Sequence, residues 1–257
     1  VLGRAIEASP NAVGVQNPDG EIVAKLTSMI QSHDSPAVRV ASVEAVARAK
    51  EFHKDTAVVG ALLDALGDKE PYVVSSVLFR MEFLAHSIVR KPELYTKTKA
   101  LLKHKDEGVR GRAAVLAAKF AASDQREEIG KLILPMLKDE SPFVRSSTAK
   151  GLATLKRIDT IHVLMGMLDD STKNTYTIKY TKSTGEPGTI THNGSAWSRV
   201  DEAILYAIKT MTWSMGDKKF KYGKINFKTV DKDIGSAIKE ARKWYKKHRK
   251  ELPPAPK

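Results

Sequence analysis

The sequence predicts an all-α fold: a right-handed α-solenoid of about five helix pairs, with a β-hairpin inserted in the fifth pair and a capping helix at the C-terminal end. Three observations carry that prediction. A short motif returns four times, as Ser35-Pro36-Ala37-Val38-Arg39, Glu70-Pro71-Tyr72-Val73-Val74, Asp106-Glu107-Gly108-Val109-Arg110 and Ser141-Pro142-Phe143-Val144-Arg145, and its valines fall 35, 36 and 35 residues apart. Self-similarity at that period marks stacked two-helix modules, none of which can bury its apolar face alone. Between the motifs, apolar residues recur at helical spacing. After Asp169-Asp170-Ser171 the period breaks, and a segment of β-branched and aromatic residues intervenes before the array's last helix.

Residues 1–18 read as an irregular leader, because Pro10, Asn11, Gly14, Asn17 and Pro18 interrupt any long helix. The first helix is expected after the Pro18-Asp19-Gly20 turn, with Ile22, Val23, Leu26, Met29 and Ile30 on one face. Its partner starts at Pro36 and presents Val38, Val40, Ala41, Val43, Ala45 and Val46, whose small side chains let helix axes approach. In each motif Ser, Glu or Asp can cap free N–H groups, and Pro is tolerated at the first helical position, where its missing N–H would be unpaired anyway. Further pairs are expected at 56–66 with 71–86, 92–102 with 107–121, and 125–137 with 142–155. In the fifth pair, Ile158, Ile161, Val163, Leu164, Met167 and Leu168 mark the first helix, and the second starts at Ser198-Arg199-Val200.

The run Asp139-Glu140-Ser141-Pro142-Phe143-Val144-Arg145, followed by Ala149 and Leu152, resembles the core of a HEAT repeat, and the resemblance covers roughly residues 19–212. It implies a helical scaffold that binds proteins, and a polar ladder between repeats in which an Asp before the turn meets an Arg at the start of the second helix. Position by position, Asp68 and Asp139 match the acid, Arg39, Arg110 and Arg145 match the base, and Val38, Val73, Val109 and Val144 are the structural repeat positions. The pattern departs at Val74, where the Arg should be, and at His104, where the Asp should be. The first turn is a residue longer, leaving His33 or Asp34 as the counterpart.

The insert, 172–196, is read as a two-stranded hairpin projecting from the edge that carries the turns within repeats. Thr175 to Thr181 favours one strand, Gly185-Glu186-Pro187-Gly188 a turn, and Thr189-Ile190-Thr191-His192 the other. An isolated hairpin is marginally stable, so this one must lean on something. Residues 213–250 are expected to form a basic loop and a capping helix over about 231–250, with Ile234, Ala237, Ile238, Ala241, Trp244, Tyr245 and His248 on its inner face. Residues 251–257 read as a frayed tail.

Composition bounds the function. The net charge of +13 is concentrated: residues 209–257 carry 15 Lys+Arg against 5 Asp+Glu. The absence of Cys excludes disulfides, thiol nucleophiles and thiolate metal sites. It also fits an exported or periplasmic setting, favoured over a cytoplasmic one without being fixed, and the start at Val1 reads as a processed form. No run of about 18 apolar residues is present, so no membrane span is expected. Catalytic motifs are absent: six residues separate Gly216 from Gly223-Lys224 where a phosphate loop needs four, and Ile225 stands where Ser or Thr is needed. No histidine pair has metal-ligand spacing, and neither catalytic residues nor a cofactor is expected.

The expected function is non-catalytic binding of a protein or peptide on the concave inner-helix surface. The candidate binding residues are Arg39, Arg110 and Arg145 along the array, Tyr176, Tyr180 and His192 on the hairpin, and Lys239, Arg242, Lys243, Lys246 and Lys247 on the last helix. One alternative is nucleic-acid or other polyanion binding through the basic C-terminal region. The other is an enzyme of the HEAT-like lyase or glycosylase kind, which would need a polar concave pocket.

Overall fold

A computed structural model describes residues 19–48, 54–84, 89, 91–182, 184, 186–193, 197–214 and 233–256. The leader, the basic loop at 215–232 and the His192 side chain lie outside the described residues. The fold is all-α with an inserted hairpin: eleven α-helices and one two-stranded antiparallel sheet among the described residues. The chain divides into two compact units, residues 1–120 with 177–190, and residues 121–176 with 191–257.

The first unit contains α1 (Asp19–Ser32), α2 (Pro36–Arg48), α3 (Thr56–Ala65), α4 (Pro71–Leu84), α5 (Lys91–Ala100) and α6 (Glu107–Phe120). They pack as two layers, α1-α3-α5 and α2-α4-α6, with each odd helix against the even one that follows it. Between the layers lie Leu26, Ile30, Leu62, Leu78, Met81, Leu94 and Leu116, all fully buried. Burying one such side chain stabilises the fold by roughly 1.5–3 kcal/mol. Val73 and Val109 are fully buried at their repeat positions, whereas Val38 is half-buried. The Asp55 carboxylate caps α3 by accepting from the N–H groups of Ala57 (2.8 Å) and Val58 (3.1 Å).

The second unit contains α7 (Arg126–Ile133), α8 (Pro142–Thr154), α9 (Ile161–Gly166), α10 (Val200–Ser214) and α11 (Ile234–His248). Helix α10 lies along α8, and α11 covers α9 and α10. Val144 is fully buried, and Ile129, Ile133, Leu152, Ile161 and Leu164 form the surrounding core. Ser141 does not cap α8 through its side chain. Its own N–H instead donates to the Asp139 carboxylate at 2.9 Å, a turn that needs no hydroxyl.

The tail is not frayed over 251–256. Leu252 is buried, and the Pro253 carbonyl accepts from His162 Nε2 at 2.7 Å. Because a carbonyl can only accept, Nε2 is the donor in that bond, and Nδ1 is hydrogen-bonded to the Tyr245 hydroxyl at 2.8 Å. One imidazole on α9 therefore fastens both the capping helix and the tail.

Strands β1 (Thr175–Thr181) and β2 (Pro187–Asn193) form the hairpin, so the second strand begins at Pro187, two residues before the position expected from sequence. Its neck is closed by the Asn174 N–H to Ser198 carbonyl bond (2.8 Å) and the Val200 N–H to Thr172 carbonyl bond (3.1 Å). The Asp201 N–H also donates to the Asp170 carbonyl (2.9 Å), so α10 starts beside the end of α9 as it would without an insert.

Candidate functional site

The recurring arginines hold turns. Arg39 Nη1 donates to the carbonyls of His33 (2.6 Å) and Asp34 (3.1 Å), Arg110 Nη1 to His104 (3.0 Å) and Lys105 (3.1 Å), and Arg145 Nη1 to Asp139 (2.8 Å) and Glu140 (3.0 Å). Every one grips the carbonyls six and five residues before it, backbone acceptors left orphaned where the preceding helical segment ends. Arg39 also makes the fork-on-fork pair with Asp68 of the next turn, Nε to Oδ2 at 2.6 Å and Nη2 to Oδ1 at 2.9 Å. Arg145 pairs in the same way with Asp170, at 2.8 and 3.3 Å. The sequence reading treated Asp170 only as the end of a helix.

The turn acid is read with equal regularity. Asp68 and Asp139 each accept from the N–H two residues on, and His33 and His104 do the same through Nδ1, at 3.1 and 3.0 Å. His33, rather than Asp34, is thus the counterpart in the first turn. An imidazole nitrogen with a lone pair replaces a carboxylate oxygen as local acceptor.

Burial alone would raise the pKa of Asp170, but hydrogen bonds from Arg145 and Thr172 and the Arg145 charge outweigh it and hold the carboxyl below its ordinary value. A depressed folded-state pKa contributes stability that is full above the unfolded-state value, about 3.9, and is lost as pH falls through the folded value. Urea titrations at pH 6 and pH 3 should therefore show wild type more stable than Asp170→Asn at the higher pH, with the difference shrinking at the lower one. A difference unchanged between the two would disprove the linkage.

The hairpin residues divide. Tyr176 is buried against Phe143, with ring centroids 4.1 Å apart, so it belongs to the core of the second unit and not to an exposed interface. An inward side chain on alternate strand positions gains more from burial than from solvent. In the first unit, Tyr180 lies 5.7 Å from Tyr72 on α4 and passes so close to Gly188 that a Cβ there would sit 2.5 Å from the ring. The Thr177 N–H donates to Glu107, the first residue of α6, at 2.7 Å. The hairpin does lean on something, lying over the N-terminal ends of α4 and α6 instead of projecting.

Helix α4 carries a surface the sequence reading missed. Tyr72, Ser76, Phe79 and Phe83 recur at helical spacing on the side opposite its fully buried Val74, Leu78 and Met81, and Phe83 is 67% exposed. Phe79 packs edge-on to Phe83 at 5.0 Å and receives the guanidinium groups of Arg80 and Arg112 at 5.2 and 4.6 Å. The Arg112 guanidinium also donates to Ser75 (3.2 Å), Arg80 pairs with Glu44 on α2 (2.8 Å), and Lys119 donates to the Glu82 carbonyl (2.7 Å). The available signal was that α4 is apolar on more than one face, which a helix covered on one side does not require.

On α11, Lys239, Arg242, Lys243, Lys246 and Lys247 are all exposed, and Arg242 pairs with Asp169 at 2.7 Å. Among the described residues, no group of three or more His, Asp or Glu is placed to hold a metal ion, and no helix is long and apolar enough to cross a membrane.

No protein-family model matches the chain, and no curated protein matches it. Among solved structures it is similar to a crystal structure of an engineered protein from a structural genomics consortium, with a TM-score of 0.51 and 12% identity over 86% of this chain and 97% of that one. At that identity the likeness concerns the fold alone.

Proposed function

We propose that the chain is a HEAT-repeat scaffold, a right-handed stack of helix pairs without catalysis of its own, that binds a protein or peptide partner on the α2-α4-α6 layer of its first unit. The observation that carries this reading is the aromatic ridge of α4, ending in the exposed Phe83. Exposed aromatic rings beside arginines are the composition that dominates protein recognition energetics. Arg80, Arg112 and Lys119 border the ridge on α4 and α6, which favours a peptide combining an apolar anchor with acidic residues. The layer is preformed by packing, so little ordering of the scaffold opposes binding.

The test is selection of a displayed peptide library against the full chain, followed by measurement of the winners on Phe83→Ala and Phe83→Asp. Selected peptides are expected to carry an aromatic or aliphatic anchor with acidic neighbours. They should lose about tenfold or more in affinity on Phe83→Ala, equivalent to about 1.4 kcal/mol. Winners that bind both variants as tightly as wild type would reject the site.

A further inference from the structure

We propose that α11 and the turn that follows it form a rail for the phosphodiester backbone of a nucleic acid, engaged by Lys239, Lys243 and Lys246 on the helix and Lys250 in the turn. The proposal concerns the second unit and does not rest on the reading given to the α4 ridge.

The four lysines follow i, i+4, i+7 and i+11, and all are exposed. At about 1.5 Å rise per residue the Cα atoms of the first three, on α11, span roughly 10 Å in steps of about 4.5–6 Å, and Lys250 follows in the turn that ends the helix. Flexible ammonium-tipped side chains act on phosphates as point charges and can track such a row without a fixed fork geometry. The rail cannot roll away. Its inner face buries Ala237, Ala241 and His248, and the bond between Tyr245 and His162 ties it to α9.

Apart from the Asp233 carboxylate at the start of the helix, which feels the Lys239 charge, neutralisation stops at the flank. Arg242, to one side of the row, meets Asp169, whereas no salt bridge among the described residues engages Lys239, Lys243, Lys246 or Lys250. An ordinary solvated helix face intersperses acids with its bases. Here Glu240 is the one acid from 239 to 250, against seven cations. A membrane surface fits less well, because an interfacial helix inserts its apolar face and the inner face of α11 is already occupied by α9 and α10.

Neutralising four phosphates should give binding whose log-log salt slope is about −3 to −4, steeper on duplex than on single strands. The experiment is fluorescence anisotropy of the full chain with a labelled oligonucleotide, single-stranded and as duplex, between about 50 and 200 mM salt, a range over which that slope weakens binding on the order of a hundredfold. The variant combines Lys239→Gln, Lys243→Gln, Lys246→Gln and Lys250→Gln, all at exposed positions, and an unchanged urea midpoint shows that it is folded. The expected result is a slope flattened by about 3 and a large loss of affinity at low salt, with single Lys→Gln changes each removing about 1 from the slope. The proposal is overturned if the fourfold variant binds as wild type does, or if polyglutamate of matched charge competes as well as the oligonucleotide. Binding to phosphatidylserine vesicles without binding to either oligonucleotide also overturns it.

Discussion

Arg39→Ala should destabilise the protein by about 3–5 kcal/mol, among the largest single-residue effects outside the apolar core. The side chains of Arg39 and Asp68 are only 6% and 9% exposed. Removing the guanidinium leaves the Asp68 carboxylate without its principal partner in a place water barely reaches, and leaves the His33 and Asp34 carbonyls without their shared donor. These losses overlap and do not add. Arg39→Lys should recover only part, because an ammonium cannot present two parallel donors to the carboxylate while a third reaches two carbonyls.

Two controls separate the buried charge from the loss of packing. The double change Arg39→Met with Asp68→Leu should recover much of the deficit, since replacing both members of a buried pair by apolar groups is commonly near neutral. Arg145→Ala should cost less than Arg39→Ala, because its pair with Asp170 is more open, at 15% and 20%. The measurement is urea unfolding followed by far-ultraviolet circular dichroism. Trp197, Trp213 and Trp244 all belong to the second unit, so fluorescence reports that unit and not the first. An Arg39→Ala midpoint within error of wild type would show that the pair contributes nothing.

What could be read from the sequence was whatever repeats. The recurring valine and arginine announce their roles because the same physical task, closing a turn beside a branched side chain, is set again in three of the four modules, Val74 replacing the arginine in the second. The grips of Arg39, Arg110 and Arg145 on their own turns follow from that recurrence. The imidazole substitutions at His33 and His104 were visible only as departures, because equivalence of Nδ1 with a carboxylate oxygen lies in geometry and not in residue type. The contacts of Tyr180 with Tyr72, of Thr177 with Glu107 and of His162 with Pro253 join residues far apart in the chain, where no period constrains them. The α4 ridge escaped for the opposite reason. Apolar residues on a repeat helix look like core, and only burial separates Phe83 from Met81.

Tyr176→Ala is expected to cost about 3–5 kcal/mol, the range for deleting a buried aromatic ring that its surroundings cannot refill. The ring stacks on Phe143 at 4.1 Å beside Val144, at the start of α8, so the void opens where the repeat position of the second unit is packed. Aromatic pairing adds roughly 0.5–1.5 kcal/mol beyond buried area, and Tyr176→Phe should retain most of both. An exposed binding residue behaves differently: its truncation lowers affinity and leaves the unfolding midpoint unmoved. Tyr180→Ala provides the comparison within the same strand, because Tyr180 is half-buried against Gly188 and Tyr72 and should cost less. Tryptophan fluorescence against urea reads the second unit and so Tyr176→Ala directly, while far-ultraviolet circular dichroism follows Tyr180→Ala, whose ring lies in the first unit. A Tyr176→Ala protein with a wild-type midpoint would return that tyrosine to the surface and restore it as a candidate for recognition.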